Sequence, residues 1–399
     1  MPTVLAQKQY LELKDLLDQA GFGEEYLHQE ELDLGKNRNT NLFTYRGQFS
    51  PDFISNLLKY YAEEGTVVFD PFVGSGTVLI EAARRGIEAH GTEINPAAFE
   101  MANTISFLSL NSSKRKEKVE NVLKLFSRSK GEVSNEDLYR IVEKKLKGLD
   151  LFESNILRNA YITLLGSKKP HTLDTLRLLI NKHAKIIYDL PETQLKSKAY
   201  LTDARSVPLK ENAVDLIITS PPYINVFNYH QHNRSFIDRV YGNALVVAKS
   251  EFGANRKHRQ NRFLTVTQYI IDMVQTFEEM KRVLKQDGRL ILVVGRSSKV
   301  RGIVFRNDHI TGAVASIAGY EVVAKQERKF VNQFGETIFE AVLHFKPVKN
   351  IAGDTLSLAR AYAAEVLKDA RTQASEAILD DINLAVDKVD SVNPSPLFK

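Results

Sequence analysis

Two stretches of this 399-residue chain carry residue types at spacings suited to chemistry. The first is Asp70-Pro71-Phe72-Val73-Gly74-Ser75-Gly76-Thr77, preceded by the β-branched run Thr66-Val67-Val68-Phe69 and followed by a helical pattern from Val78 to Arg85. Strand, glycine turn and helix in that order open a nucleotide-binding α/β unit, and in an open α/β sheet ligands lie beyond the carboxyl ends of the strands. Gly74 and Gly76 remove Cβ atoms that would hold a ligand off and make positive φ available. The helix that follows turns its amide ends toward an anionic group. Asp70, Phe72, Gly74, Ser75, Gly76 and Thr77 are therefore candidates for ligand contacts. A glycine turn alone is also compatible with purely structural glycines. Leu79 stands where a dinucleotide fingerprint has its third glycine, which disfavours a nicotinamide cofactor. A second strand, 88–93, ends in Glu93, whose two oxygens match the two hydroxyls of an adenosine ribose; the alternative is a surface acid at a strand end. Asp203 ends a third strand, 199–203, and is a candidate acceptor for the adenine amino group, with Phe72 and Ile94 flanking the ring.

The second stretch is Thr219-Ser220-Pro221-Pro222-Tyr223, after the apolar run Val214-Asp215-Leu216-Ile217-Ile218. Consecutive prolines end a central ladder and fix φ twice, so their carbonyls project rigidly from the sheet. An exocyclic amino group of a nucleobase could donate to the Ser220 side chain and the Pro221 carbonyl, drawing its lone pair out of conjugation, while Tyr223 stacks on the base. Such a reaction needs alignment more than a strong base, because the proton is lost afterwards. Alone, Ser-Pro-Pro-Tyr is more often a loop. Behind an apolar strand and downstream of the glycine turn it reads as a reacting site.

The elements that must position these stretches alternate strand and helix, which predicts a doubly wound, mostly parallel α/β sheet. Further strands are expected at 289–294, 320–324 and 338–345, with helices over 5–20 and 354–390 and a frayed Pro-Ser-Pro tail. Ser50 can cap a helix that has Pro51 at its first position. Four segments result: 1–107, amino-terminal helices and the first half of the core; 108–198, a mainly helical insert; 199–350, the second half of the core; and 351–399, a helical extension. The net charge is only +5, yet residues 111–198 hold 19 Lys and Arg against 11 Asp and Glu. The insert is thus the basic part, and a candidate for reading DNA sequence.

The remaining composition excludes classes of function. With no cysteine there are no disulfides, thiolate nucleophiles or Cys-ligated zinc. The nine histidines are scattered, His230 and His232 lack an HExxH-like frame, and no metal is expected. An amino terminus without a secretory pattern and a chain without a run of about 18 apolar residues predict a cytoplasmic protein off the membrane.

Together, Arg46-Gly47-Gln48-Phe49-Ser50-Pro51, Asp70 to Thr77, Glu93 and Thr219 to Tyr223 resemble the amino-directed DNA methyltransferases of bacteria, the N4-cytosine and N6-adenine enzymes. The resemblance covers about 46–107 and 199–346 and leaves out the insert and the tail. It implies a Rossmann-like class I methyltransferase fold, S-adenosylmethionine as cofactor with Ser50 on the cofactor side, DNA as substrate and a cognate restriction endonuclease as partner. The target base must be rotated out of the duplex. Serine before the two prolines is commoner in the N4-cytosine enzymes, and aspartate or asparagine in the adenine enzymes, so Ser220 favours cytosine. Here the cofactor segment precedes the catalytic one and the gap between them is unusually long.

Directly after the reacting loop, residues 225–262 interleave Arg234, Arg239, Lys249, Arg256, Lys257, Arg259 and Arg262 with Phe227, Tyr229 and Phe236. That mixture suits gripping phosphates and wedging beside a displaced base, although charge runs are usually solvated faces. Two rival readings remain. An RNA guanine-N2 methyltransferase would share both loops, but no appended RNA-binding domain is recognisable. A non-catalytic nucleic-acid-binding subunit would have no reason to keep Glu93, Ser220 and Tyr223 together.

Overall fold

The run Val67-Val68-Phe69 becomes the first strand of the sheet because β-branched and aromatic side chains fill a pleated surface covered on both faces. The computed structural model describes residues 12–19, 21–23, 27–33, 42–45, 47–127, 134–224, 229–231, 233–253, 258–331, 335–349 and 353–398. Its strands are β1 (Val67–Asp70), β2 (Glu88–Glu93), β3 (Lys198–Leu201), β4 (Val214–Thr219), β5 (Leu284–Gly295), β6 (Ser297–Val300), β7 (Ile303–Arg306), β8 (Tyr320–Val331) and β9 (Thr337–Pro347). Seven form one sheet in the order β3-β2-β1-β4-β5-β9-β8, and β6 and β7 make a separate hairpin. Strands β1 to β5 run parallel, and β9 runs antiparallel between β5 and β8. This is the doubly wound, mostly parallel α/β sheet expected from the alternation, of the Rossmann-like kind that the resemblance implies. Of the expected late strands, 338–345 matches β9 to within two residues, whereas β8 extends well past 324, and the two pair as a long antiparallel ribbon.

The chain lays β2 and β3 on one side of β1 and then returns to lay β4 and β5 on the other. The strand order therefore reverses between β1 and β4, where ligands of doubly wound sheets bind. The loops after these two adjacent strands are the two stretches singled out by their chemistry.

Both faces of the sheet are covered. One carries helices Pro51–Tyr61 and Thr77–Arg84 together with all four helices of the basic insert, Ser112–Lys124, Asn135–Leu146, Leu151–Leu165 and Leu173–Tyr188, in one continuous apolar cluster. The insert is thus built into the core. Arg115, wholly buried, ties its two ends by donating to the carbonyls of Phe107 (3.0 Å) and Pro191 (2.8 Å). The opposite face carries helices Leu264–Val283, Asn307–Ile317 and Thr355–Ala370.

Two local expectations are corrected, and a third is met in the part that is described. The Ser50 side chain makes no capping bond although Ser50 stands at the N-cap, since its Oγ is buried without a partner among the described residues. The tail is docked rather than frayed: Ser395 N donates to Asp272 (2.7 Å) and Arg205 donates to the Ser395 (2.8 Å) and Pro396 (3.1 Å) carbonyls. Buried charges hold it there. Of the helix expected over 5–20, residues 12–18 are helical and Leu17 is fully buried, while Leu5 and Leu11 lie outside the described residues. No helix among the described residues is long and apolar enough to cross a membrane.

Candidate active site

At the carboxyl ends of β1, β2 and β4 opens a cavity. Of the residues expected to hold an adenosine ligand, Asp70, Phe72, Gly74, Ser75, Thr77, Glu93, Ile94 and Asp203 line it, as do Ser220 and Pro222 of the reacting loop. Ser50, Gly76, Pro221 and Tyr223 do not.

The glycine turn is held by the acid at each neighbouring strand end. Asp70 accepts from Phe72 N (3.0 Å) and from the Thr219 hydroxyl (2.6 Å), which pins the loop after β1 to the last residue of β4. Glu93 accepts from Gly74 N (3.0 Å) and Asn95 N (2.8 Å), with the Ile94 backbone N–H also bearing on it, and keeps acceptor capacity for a ribose hydroxyl. Burial pushes both carboxyls up, to about 7 each. Gly74 and Gly76 have positive φ, 52° and 89°. They serve different ends. Gly74 borders the cavity, whereas a Cβ on Gly76 would lie 2.7 Å from the Cα of Ala102. Gly76 is therefore required for packing against helix Pro96–Ala102 rather than for approach of a ligand.

Asp203 meets a different fate from the one expected. Its carboxylate accepts from Arg205 N (3.0 Å), Nε (2.9 Å) and Nη2 (2.8 Å) and from Phe398 N (3.0 Å). Four donors match the roughly four acceptor sites of a carboxylate, so an adenine amino group would have to displace one of them. Tyr223 also departs from expectation. Its ring lies against Gly295 at the end of β5, where a Cβ would stand 3.2 Å from the ring edge, and its hydroxyl is 3.4 Å from Ser220 Oγ. Burial and the nearby Glu340 push the Tyr223 hydroxyl above the usual tyrosine range. Stacking on a base requires this ring to swing out.

Described parts of the segment after the reacting loop border the cavity. Tyr229, Glu251 and Phe252 line the cavity, with Phe252 edge-on to Phe72 at 5.7 Å. Phe236, expected as a wedge, is fully buried. Arg239 is engaged by Glu136 (2.6 Å) and Glu143 (3.1 Å) of the insert, because helix Arg234–Val240 packs on the insert and finds acids there, and Arg234 pairs with Asp238 (3.0 Å). Arg259 is exposed and Arg262 half-buried. Arg46, Phe227, His232, Arg256 and Lys257 lie outside the described residues.

Tyr45, Gln48, Glu251 and Phe252 belong to the cavity but were not singled out by sequence, and Tyr229 was singled out only as a wedge beside the base. Gln48 had a signal, since it stands inside the quoted segment 46–51; its Oε1 accepts from Ser75 Oγ (2.9 Å) and ties that segment to the glycine turn. The others reach the cavity only through folding.

Three acids of the cavity differ from the other buried acids, Asp203 at its rim included. Buried Glu100, Asp203, Asp272 and Asp308 are each paired with Arg158, Arg205 or Arg306. Among the described residues Asp70, Glu93 and Glu251 have no Lys or Arg within ion-pair distance, and all three face the cavity. Buried carboxylates without a counter-ion are costly. This cavity is consequently suited to a ligand that carries positive charge, a diol and an aromatic base, and S-adenosylmethionine has all three.

Comparison with known proteins agrees. Residues 18–104 and 214–373 match the N6/N4 methyltransferase family, described as DNA methylase, and the unmatched stretch between them contains the basic insert. The type II methyltransferase M.MjaII of Methanocaldococcus jannaschii is 38% identical over 52 residues, 13% of this chain and 10% of that protein. The type II methyltransferase M.MvaI of Kocuria varians is 40% identical over 68 residues, 15% of each. The chain thus spans only a small share of these relatives. Among solved structures, a SAM-dependent methyltransferase of Methanosarcina mazei is 12% identical with a TM-score of 0.35, covering 74% of this chain and 98% of that one. A TehB-like SAM-dependent methyltransferase of Corynebacterium glutamicum is 13% identical with a TM-score of 0.30, covering 74% and 86%. Nothing further rests on likenesses this distant. With well over half of its residues matched, the chain belongs to the N6/N4 DNA methylase family, whose methyl donor is S-adenosylmethionine.

Proposed function

We propose that the protein methylates an exocyclic amino nitrogen of a DNA base rotated out of the duplex, N4 of cytosine in preference to N6 of adenine. One observation carries this reading: Ser220 and Pro222 line the same cavity as Asp70 and Glu93, so the reacting loop and the donor's acids share one space. When bound, the donor supplies an electrophilic methyl carbon on a sulfonium. Asp70, Glu93 and the glycine turn hold and orient it. Ser220 Oγ and the Pro221 carbonyl accept hydrogen bonds from the base's amino group, which frees its nitrogen lone pair to point at that carbon. With the donor so held, the aligned nitrogen would be placed to take up the methyl group, and its surplus proton would pass to water. Ser220 supports cytosine. In this reading the basic insert and the exposed Arg259 contribute to DNA binding, and a partner endonuclease completes the system.

Incubation of the protein with S-adenosylmethionine and mixed-sequence duplex DNA, followed by nucleoside mass spectrometry, tests the proposal. N4-methylcytosine is the expected product. N6-methyladenine would overturn the cytosine preference, and methylation of RNA alone would overturn the substrate.

A further inference from the structure

The structure assigns Glu251 to the methyl donor: we infer that its carboxylate receives the α-ammonium group of the donor's amino acid end. The inference deepens the donor reading above and rests on it. Glu251 follows helix Ala244–Ser250, is 3% exposed and lines the cavity. His230 holds it, and the Tyr45 and Tyr229 hydroxyls are close enough to act on it electrostatically. His230, fully buried, donates its backbone N–H to one carboxylate oxygen and sets Nδ1 2.7 Å from the other. About half of the acceptor sites of the carboxylate are thereby used, and the rest have no basic side chain to meet among the described residues.

The position of Glu251 along the cavity selects the group it meets. An adenosine held by Glu93 has its ribose at the end of β2 and its base toward β3, so the amino acid end extends toward β1 and β4. The segment of Glu251 reaches that end through Gly253, while Phe252 between them packs on Phe72 and beneath Arg205 at 4.8 Å. Two residues on, a Cβ at Gly253 would lie 3.2 Å from the carbonyl oxygen of Tyr223 and 3.2 Å from the Cα of Ile224, so this segment lies directly against the reacting loop after β4. Asn95, whose backbone N–H binds Glu93, donates its side chain to the Tyr229 carbonyl (3.1 Å) and ties the same segment to the ribose acid. A carboxylate there repels a DNA phosphate and attracts an ammonium. Part of the segment expected to grip DNA thus completes the donor site.

Calorimetric titration with three probes tests this. S-adenosylmethionine has sulfonium and ammonium, S-adenosylhomocysteine only the ammonium, and 5′-methylthioadenosine neither. Glu251→Gln keeps shape and removes charge, so it should weaken the first two by roughly 10- to 100-fold, the range of a charged hydrogen bond, and leave 5′-methylthioadenosine within about twofold. Glu251→Asp, which keeps the charge one methylene further back, should recover part of the S-adenosylhomocysteine affinity. Equal weakening of all three probes would make Glu251 merely structural, and unchanged S-adenosylhomocysteine binding would remove it from the site; either overturns the assignment alone. Wild-type protein that binds none of the probes overturns the donor reading and this assignment with it.

Discussion

Replacing Asp70 by asparagine should make the protein more stable and less able to hold its donor, with a pH dependence that the site itself dictates. Asp70 is 1% exposed and has no Lys or Arg partner among the described residues, and burial pushes its carboxyl up to about 7. Against an ordinary aspartate near 3.9, that displacement corresponds to roughly 4 kcal/mol of penalty on the ionised folded state. The folded state binds this proton more tightly than the unfolded chain does. Its contribution is therefore stabilising at low pH and is lost as pH rises from about 4 through about 7. Between pH 5.5 and 8 the loss is roughly 2 kcal/mol. An asparagine never ionises, and its carbonyl oxygen can still accept from Phe72 N and the Thr219 hydroxyl, as Asp70 does at 3.0 and 2.6 Å. Urea unfolding of both proteins across this range, read as the difference between them, cancels every other titrating group to first order. The expected result is an advantage of the Asp70→Asn variant that grows by roughly 2 kcal/mol from pH 5.5 to 8, together with weaker S-adenosylmethionine binding. A difference flat in pH would refute the raised carboxyl, and undiminished donor binding would refute its role as a cation partner. An acid this unfavourable to the free protein fits an active site that trades stability for function.

Donor affinity in the parent protein should itself rise with pH through about 7 and then level, because Asp70 must be ionised to meet a cation and Glu93 accepts from ribose hydroxyls best as a carboxylate, both near 7; calorimetry in buffers of different ionisation enthalpy should detect proton release on binding near neutrality. Gly76→Ala combines φ of 89° with a Cβ 2.7 Å from Ala102 Cα, and should lower stability by about 1–3 kcal/mol in thermal unfolding. A neutral outcome would mean that helix Pro96–Ala102 can shift. Tyr223→Ala should abolish methyl transfer, measured with labelled donor, while donor affinity stays within about twofold, since the ring does not line the cavity. Arg239→Ala should leave the salt dependence of DNA binding unchanged in filter-binding titrations, because that guanidinium is engaged by Glu136 and Glu143.

Much of this site was legible in the sequence because it consists of strand ends. A β-branched run that stops at Asp70 before a glycine turn, and another that stops at Thr219 before two prolines, are local patterns, and local sterics alone dictate that the chain leaves the sheet there. The same holds for Glu93 and for the parallel alternation itself. Tertiary structure decided what no local pattern encodes. It alone brings Thr219 to Asp70 across 149 positions and lays Phe398 N on Asp203 across 195, filling acceptor sites that the sequence left open for a base. It turns Arg239 from a phosphate contact into a brace on the insert, and Glu251 from a stray acid in a basic run into a wall of the cavity. The physical reason is that a charged side chain is defined by its partners, and in a doubly wound sheet those partners arrive from strands and helices far away in the chain.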